Sequence, residues 1–311
     1  MRSCLVWALT HYSAAQTESS GSRFLATMGT THMGDGCRYI FLDVGTNRGV
    51  HIRSLMEPTL FPEALYVKEE FWVQYFGREY ENDSSVCAFG FEPNAAHHSR
   101  LERLAQHYRS AGKRVEMMYV ATKSKPGMMT MYDHRGDELK SHWRFGSFRK
   151  SYHPVNVTAI DLALWIKHEV LSRRIPPKAN GNAPRPAVLM KLDVEGDELE
   201  LLQRMLDLDV LCHIDLITWE YHDYLLPPLE KRYATHKALW NLIFEHQSST
   251  DEDESSSARH LAIRNERASY PQDAATVRRK CRTRFIAKDD EGYLMVPDVP
   301  LRSWEPFVLK S

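Results

Sequence analysis

The sequence predicts an α/β fold, a doubly wound and mostly parallel sheet finished by a C-terminal antiparallel hairpin. Three stretches carry that expectation. Tyr39-Ile40-Phe41-Leu42-Asp43, Val86-Cys87-Ala88-Phe89-Gly90-Phe91-Glu92 and Ala187-Val188-Leu189-Met190-Lys191-Leu192-Asp193 are each a short apolar run that stops at an acid. Apolar residues without alternation fit strands covered on both faces. Carboxylates at the C-terminal ends of such strands describe the mouth where open parallel sheets bind ligands.

Taken in order, residues 1–36 read as a flexible leader, 10–36 being small and polar with Ser19-Ser20-Gly21-Ser22 and Met33-Gly34-Asp35-Gly36; 37–311 reads as one domain. The first strand runs into Asp43-Val44-Gly45-Thr46-Asn47-Arg48-Gly49, a tight turn that hands over to a helix. Residues 52–85 exceed what a simple crossover requires. Glu57-Pro58, Phe61-Pro62 and the aromatics from Phe61 to Tyr80 mark an insertion, either core for inserted helices or a lid over the site. Leu101, Leu104, Ala105 and Tyr108 recur at helical spacing, so 95–112 is a helix with Gly112 as its C-cap. Val115 to Val120 is the third strand. Lys125-Pro126-Gly127 is a turn, and Met128 to Tyr132 has strand character. Arg135 to His153 lies where a substrate loop would be, and reads equally as a solvated loop with a few anchoring aromatics. Helical spacing returns over 161–171 and, after Gly196, over 199–206, and 213–222 is the fifth strand. A helix over 230–246 leads into an acidic, serine-rich run (247–260) that cannot bury apolar surface and is expected to be disordered. Thr283 to Ala287 and Tyr293 to Val296, separated by Asp289-Asp290-Glu291-Gly292, form the closing hairpin.

Composition bounds the function. The chain has 311 residues, 43% of them hydrophobic, enough for one large core. Lys+Arg number 40 against 41 Asp+Glu, so there is no global basic field for a nucleic acid. The balance favours a small-molecule partner. Five cysteines, odd in number and without a C-x-x-C pair, argue against a zinc site or a disulfide framework. Cys87 and Cys212 read as buried core thiols, and the usage fits a reducing, cytoplasmic setting. The alternative is the secretory pathway, if Cys4 to Leu9 is the core of a signal peptide. In that case the sequons Asn82-Asp83-Ser84 and Asn156-Val157-Thr158 gain meaning. No stretch has the length of a membrane span.

Gly45 and Gly49 suit backbone that approaches a nucleotide-type cofactor at a strand end. The spacing D-x-G-x-N-x-G departs from the dinucleotide fingerprint G-x-G-x-x-G, and the same residues also fit an ordinary strand-to-helix turn. D-V-G-T-N-R-G, then F-E-P-N, then K-L-D-V-E-G-D-E-L-E-L-L, in that order and spacing from Tyr39 to His222, resembles the FkbM-type S-adenosylmethionine-dependent methyltransferases. The last motif, close to that family's K-x-D-V-E-G-x-E, is the most specific of the three.

The resemblance implies a Rossmann-like, class I methyltransferase architecture, S-adenosylmethionine as cofactor, and O-methylation of a small molecule or sugar. It also implies a β-hairpin excursion in which Met128 to Tyr132 pairs with Asn156 to Thr158. Glu92 corresponds to the acid that accepts the ribose hydroxyls, as acids do in dinucleotide folds. Asp43, Gly45, Thr46, Asn47 and Gly49 would surround the amino acid end and near ribose, and Thr122 would lie beside the adenine. Asp193 and Glu195 share the D-V-E-G motif and can face the transferred methyl; Glu195 can instead cap the helix that follows. His222 is the candidate general base, since its ordinary pKa lies near neutrality. No metal site is assigned, although Asp193, Glu195, Glu220 and His222 are oxygen and imidazole donors of the kind a divalent ion takes. Two other functions fit the fold. One is an NAD-linked oxidoreductase, which Glu92 would also serve. The other is a non-catalytic binding module, if the insertion fills the donor pocket or Arg48 crowds it.

Overall fold

The computed structural model describes residues 31–133, 153–177 and 183–220, together with 222, 239, 281 and 283–287. At its centre is β1 (Tyr39–Val44), all six residues of which are buried. β2 (Val86–Phe91) and β3 (Arg114–Met118) extend the sheet on one side; β7 (Ala187–Leu192), β8 (Leu216–Trp219) and β9 (Arg284–Ala287) extend it on the other. The order is β3-β2-β1-β7-β8-β9, and every neighbouring pair is parallel. Three short strands, β4 (Ala121–Lys123), β5 (Gly127–Asp133) and β6 (His153–Asp161), form a second sheet in the order β4-β6-β5. The chain thus builds outward from β1 to β3, then returns to start again at β7. The reversal falls between β1 and β7, and there the crevice at the strand ends opens.

Alternate residues of each strand feed two cores, as a period of two dictates. Tyr39, Phe41, Val86, Ala88, Ala187, Leu189 and Leu216 face one layer of helices: α1 (Val50–Met56), α2 (Leu65–Lys68), α3 (Phe71–Phe76) and α4 (Ala95–Ser110). Ile40, Leu42, Phe89, Phe91, Met190 and Ile217 face the other, where α5 (Leu162–Trp165), a π-helical continuation (Ile166–Leu171) and α6 (Glu198–Asp207) pack. The doubly wound expectation therefore holds.

The aromatics of the insertion are core. Trp72 is 1% exposed, stacks on Tyr66 at 4.3 Å and meets Phe41 edge-on at 4.9 Å. The Tyr66 hydroxyl shares a 2.6 Å hydrogen bond with Thr218. Each such ring contributes on the order of 2–3 kcal/mol by burial alone. Their strand partners Tyr39, Val86 and Ala187 are first residues of their strands. The insertion packs against this face of the sheet from Tyr39 at the start of β1 to Thr218 near the end of β8, and reaches Val50 beside the glycine turn.

Several boundaries differ from expectation. Residues 32–36, assigned to the leader, hydrogen-bond into the fold: Met33 N–H donates to Glu169, Gly34 N–H to the Glu169 carbonyl, and Asp35 accepts from Arg174. β5 pairs antiparallel with β6, Met128 opposite Thr158 and Thr130 opposite Asn156, as the excursion requires. The first arm of the closing hairpin is β9, and its described partner is β8, in parallel; the second arm lies outside the described residues. So do the 230–246 helix, the acidic run and most of the Arg135-to-His153 loop.

The cysteine reading is corrected. Cys37 is joined to Cys87 and Cys212 to Cys281. Partners 50 and 69 residues apart leave no local signal. Adjacency of β1 with β2, and of β8 with β9, is what brings them together.

Candidate active site

The acids that follow β2, β7 and β8 are placed alike. Glu92 N–H donates to the Met118 carbonyl, Asp193 N–H to that of Val44 and Glu220 N–H to that of Leu192, at 3.0, 3.0 and 3.1 Å. Each bond is one more rung on a parallel ladder, so each acid stands just past its strand at the same rim.

Gly45 and Thr46 both donate to the Phe91 carbonyl, which folds the turn after β1 over β2. Gly45 has φ +82, and a Cβ there would lie 1.7 Å from the Asp193 carbonyl oxygen. Only glycine fits, because the end of β7 crosses directly beside it. Thr46 turns its hydroxyl inward to the Asp43 carbonyl at 2.7 Å and is 1% exposed, so it shapes the turn. Asn47 takes φ 53, and its N–H donates to Glu92 Oε2 at 2.7 Å. Glu92 Oε1 accepts from Asn94 N–H at 2.8 Å. One carboxylate thereby ties the turn after β1 to the turn after β2, and retains lone pairs for further donors. Burial pushes Glu92 up to about 7 against the opposing backbone donors.

Four buried polar atoms at these two turns have no partner: both oxygens of Asp43, Asn47 Oδ1 and Asn94 Nδ2. Burial also raises Asp43 above the ordinary carboxylate range. Orphans of this kind are rare in finished cores and mark a place where a ligand completes the hydrogen bonding. Thr122 lies in β4, buried and paired with Ile160, and among the described residues no hydrogen bond joins it to this group.

The segment after β7 forms a second knot. Lys191, 6% exposed, reaches the Gly45 carbonyl and Asp193 Oδ2, both at 2.8 Å. Glu195 and Gly196 take positive φ, 59 and 109. The N–H groups of Val194 and Gly196 go to Glu198, each at 3.1 Å. Glu198, the first residue of α6, thus ties down the turn before the helix, and the side chain of the N-cap residue Asp197 does not cap α6. Glu198 is 0% exposed and also meets His222 Nδ1 at 2.9 Å. Round the other ring nitrogen stand Glu220, Asp193 and Glu195, their oxygens 3.3, 3.7 and 3.9 Å from Nε2. Burial alone would push His222 down. The hydrogen bonds from Glu198 and Glu220 and the surrounding carboxylate charge override it and raise the group to about 11. Protonation of His222 is thereby favoured at neutral pH, which works against the general-base role expected of it. Burial in turn raises Glu195 to about 7.

The structure thus gathers Asp43, Gly45, Asn47, Glu92, Asp193, Glu195 and His222 at one rim. Gly49 stands apart: its φ of +81 favours glycine, and a Cβ there would press on the Leu104 side chain of α4 at 2.6 Å. The sequence reading missed Lys191, Glu198 and Asn94. Lys191 had a signal, a charge one residue inside an apolar strand. Glu198 had none, since nothing in E-G-D-E shows which acid turns inward.

A six-stranded parallel sheet with its polar rim at the switch point is the arrangement in which open α/β proteins bind ligands at their strand ends. The profile of the Methyltransferase FkbM domain matches residues 43–248, and the chain belongs to that methyltransferase family. No curated protein and no solved structure matches it.

Proposed function

We propose that the chain transfers the methyl group of S-adenosylmethionine to a hydroxyl of a small molecule or sugar. The observation that carries this is Glu92, fixed at the end of β2 by two turn N–H groups, with the orphaned atoms of Asp43, Asn47 and Asn94 nearby. The donor carries a ribose diol and an ammonium group; the first suits Glu92 and the second suits Asp43. When bound it supplies a methyl group on a sulfonium, already activated for transfer.

The chain's own part is positional. Glu92 accepts the two ribose hydroxyls. The turn from Gly45 to Gly49 shapes the wall around the amino acid end, Thr46 through its backbone. Thr122 closes the adenine side. Asp193 and Glu195, 11% and 20% exposed at the side chain, face the acceptor, and His222 holds them in register. The acceptor hydroxyl passes its proton to a Glu195 oxygen as the new bond to carbon forms. The aromatics of the insertion are buried in the core under the sheet, which supports an open donor site over a filled one.

The two disulfides favour an oxidising compartment, and Asn82 and Asn156 are both exposed as glycosylated residues must be. We therefore favour the secretory alternative over the cytoplasm. No described helix is long and apolar enough to cross a membrane.

Calorimetric titration with S-adenosylhomocysteine, beside NAD and a Glu92→Ala variant, tests the reading. Micromolar binding of the first, none of NAD, and a loss of about tenfold or more in the variant are expected, the scale of two charge-assisted hydrogen bonds. A folded chain that binds neither compound removes the proposal.

A further inference from the structure

We propose that the rim between β7 and β8 is a divalent cation site, with His222 Nε2, Asp193 and Glu220 as ligands, Glu195 closing a further side, and Glu198 orienting the imidazole from Nδ1. Spacing is the first argument. N–H···O hydrogen bonds run about 2.7–3.2 Å, and the oxygens of Glu220, Asp193 and Glu195 lie at 3.3, 3.7 and 3.9 Å from Nε2. The first is a long hydrogen bond, and the other two are beyond hydrogen-bond reach. Two ligands each about 2.1 Å from a shared ion stand roughly 3.0–4.2 Å apart, from right-angled to opposed. All three separations fall inside that interval.

Orientation is the second argument. Metal-bound histidines generally give their other nitrogen to a carboxylate, which fixes tautomer and ring plane. Here Glu198 does so at 2.9 Å and is itself held by two backbone N–H groups.

Charge is the third. Four carboxylates surround one imidazole, and Asp43, fully buried and without a hydrogen bond, lies near enough to Asp193 to repel it. Lys191 is bound to Asp193. This excess of carboxylates over cations favours a divalent ion among them, which adds one positive charge over the Nε2 proton it replaces. Several carboxylates with a single imidazole suit Mn²⁺ better than Mg²⁺, which keeps its waters, or Zn²⁺, which favours nitrogen and sulfur. A cation here would polarise an acceptor hydroxyl, a use that rests on the methyltransferase reading; the binding itself does not.

The test is titration of the untagged, chelator-treated chain with Mn²⁺, following the six-line paramagnetic resonance signal of the free ion. One ion per chain should be taken up below about 1 mM, a modest affinity by the usual arithmetic. His222→Gln and Glu220→Gln should each weaken uptake about tenfold or more, and Glu102→Gln, on the outer face of α4, should not change it. The Glu220 side chain is 27% exposed, so that variant keeps its fold even if His222→Gln does not. No uptake at about 1 mM, or uptake unchanged in Glu220→Gln, overturns the proposal and leaves His222 as an imidazolium. S-adenosylhomocysteine binding on the same sample reports separately on the donor site.

Discussion

At the scale of single residues, Glu92 carries the clearest pH signature. Its folded pKa, about 7, lies above the ordinary 4.5 because burial disfavours the charge. Its stabilising contribution is therefore complete below about pH 4.5 and is lost as pH rises through 7, on the order of 3 kcal/mol by linkage. Glu92→Gln should flatten that decline in a series of denaturant melts from pH 5 to 8. Ribose hydroxyls favour the ionised form, so S-adenosylhomocysteine should bind the native chain more tightly as pH rises through 7 and the variant indifferently. Gly45→Ala should do worse than either. Its methyl group would occupy the Asp193 carbonyl, and destabilisation of about 3 kcal/mol or more is expected, since positive φ and overpacking add. Asp43, Glu92 and Asp193 were legible in the sequence because each stops an apolar run. Glu198 was not, because its inward turn depends on the positive φ of Gly196 and on His222, 24 residues away at the end of another strand.

At the scale of elements, what could be read was what repeats along the chain. β1, β2 and β7 announced themselves as unbroken apolar runs, and α4 by its spacing; its N-cap, Asn94, which accepts the Ala96 N–H, was not read. β4, three residues long, carries no pattern of its own and exists through its pairing with β6. The pairing of β9 with β8 is a tertiary choice that no turn signal reveals. The insertion was legible as aromatic, but lid and core have the same composition; only contact with Phe41 and Tyr39 decides between them. Trp72→Ala should accordingly cost about 3–5 kcal/mol in a denaturant melt, as loss of a buried indole does. Its affinity for S-adenosylhomocysteine should stay within about twofold of the parent, below 1 kcal/mol. A large loss of affinity from a folded variant would move the insertion to the cofactor side.

At the scale of the whole molecule, the two disulfides and the site occupy opposite edges of the sheet. Cys37 precedes β1 and Cys87 is second in β2, while Cys212 and Cys281 precede β8 and β9. All four lie where the strands begin, and the acids lie where they end. Cross-links closing 50 and 69 residues each stabilise by about 4 kcal/mol in the chain-entropy account, less whatever structure the reduced chain retains. Reduction should therefore lower the unfolding midpoint sharply, yet leave donor affinity unchanged in whatever fraction stays folded. A thiol count settles the premise. The unreduced chain, unfolded in denaturant, should show at most one reactive thiol, since four of its five cysteines are joined; after reduction it should show five. Five before reduction would remove both cross-links, and with them the argument for an oxidising compartment. It would leave the rim of Glu92, Asp193 and Glu220 intact, because the ladder bonds that place those acids involve none of the four cysteines.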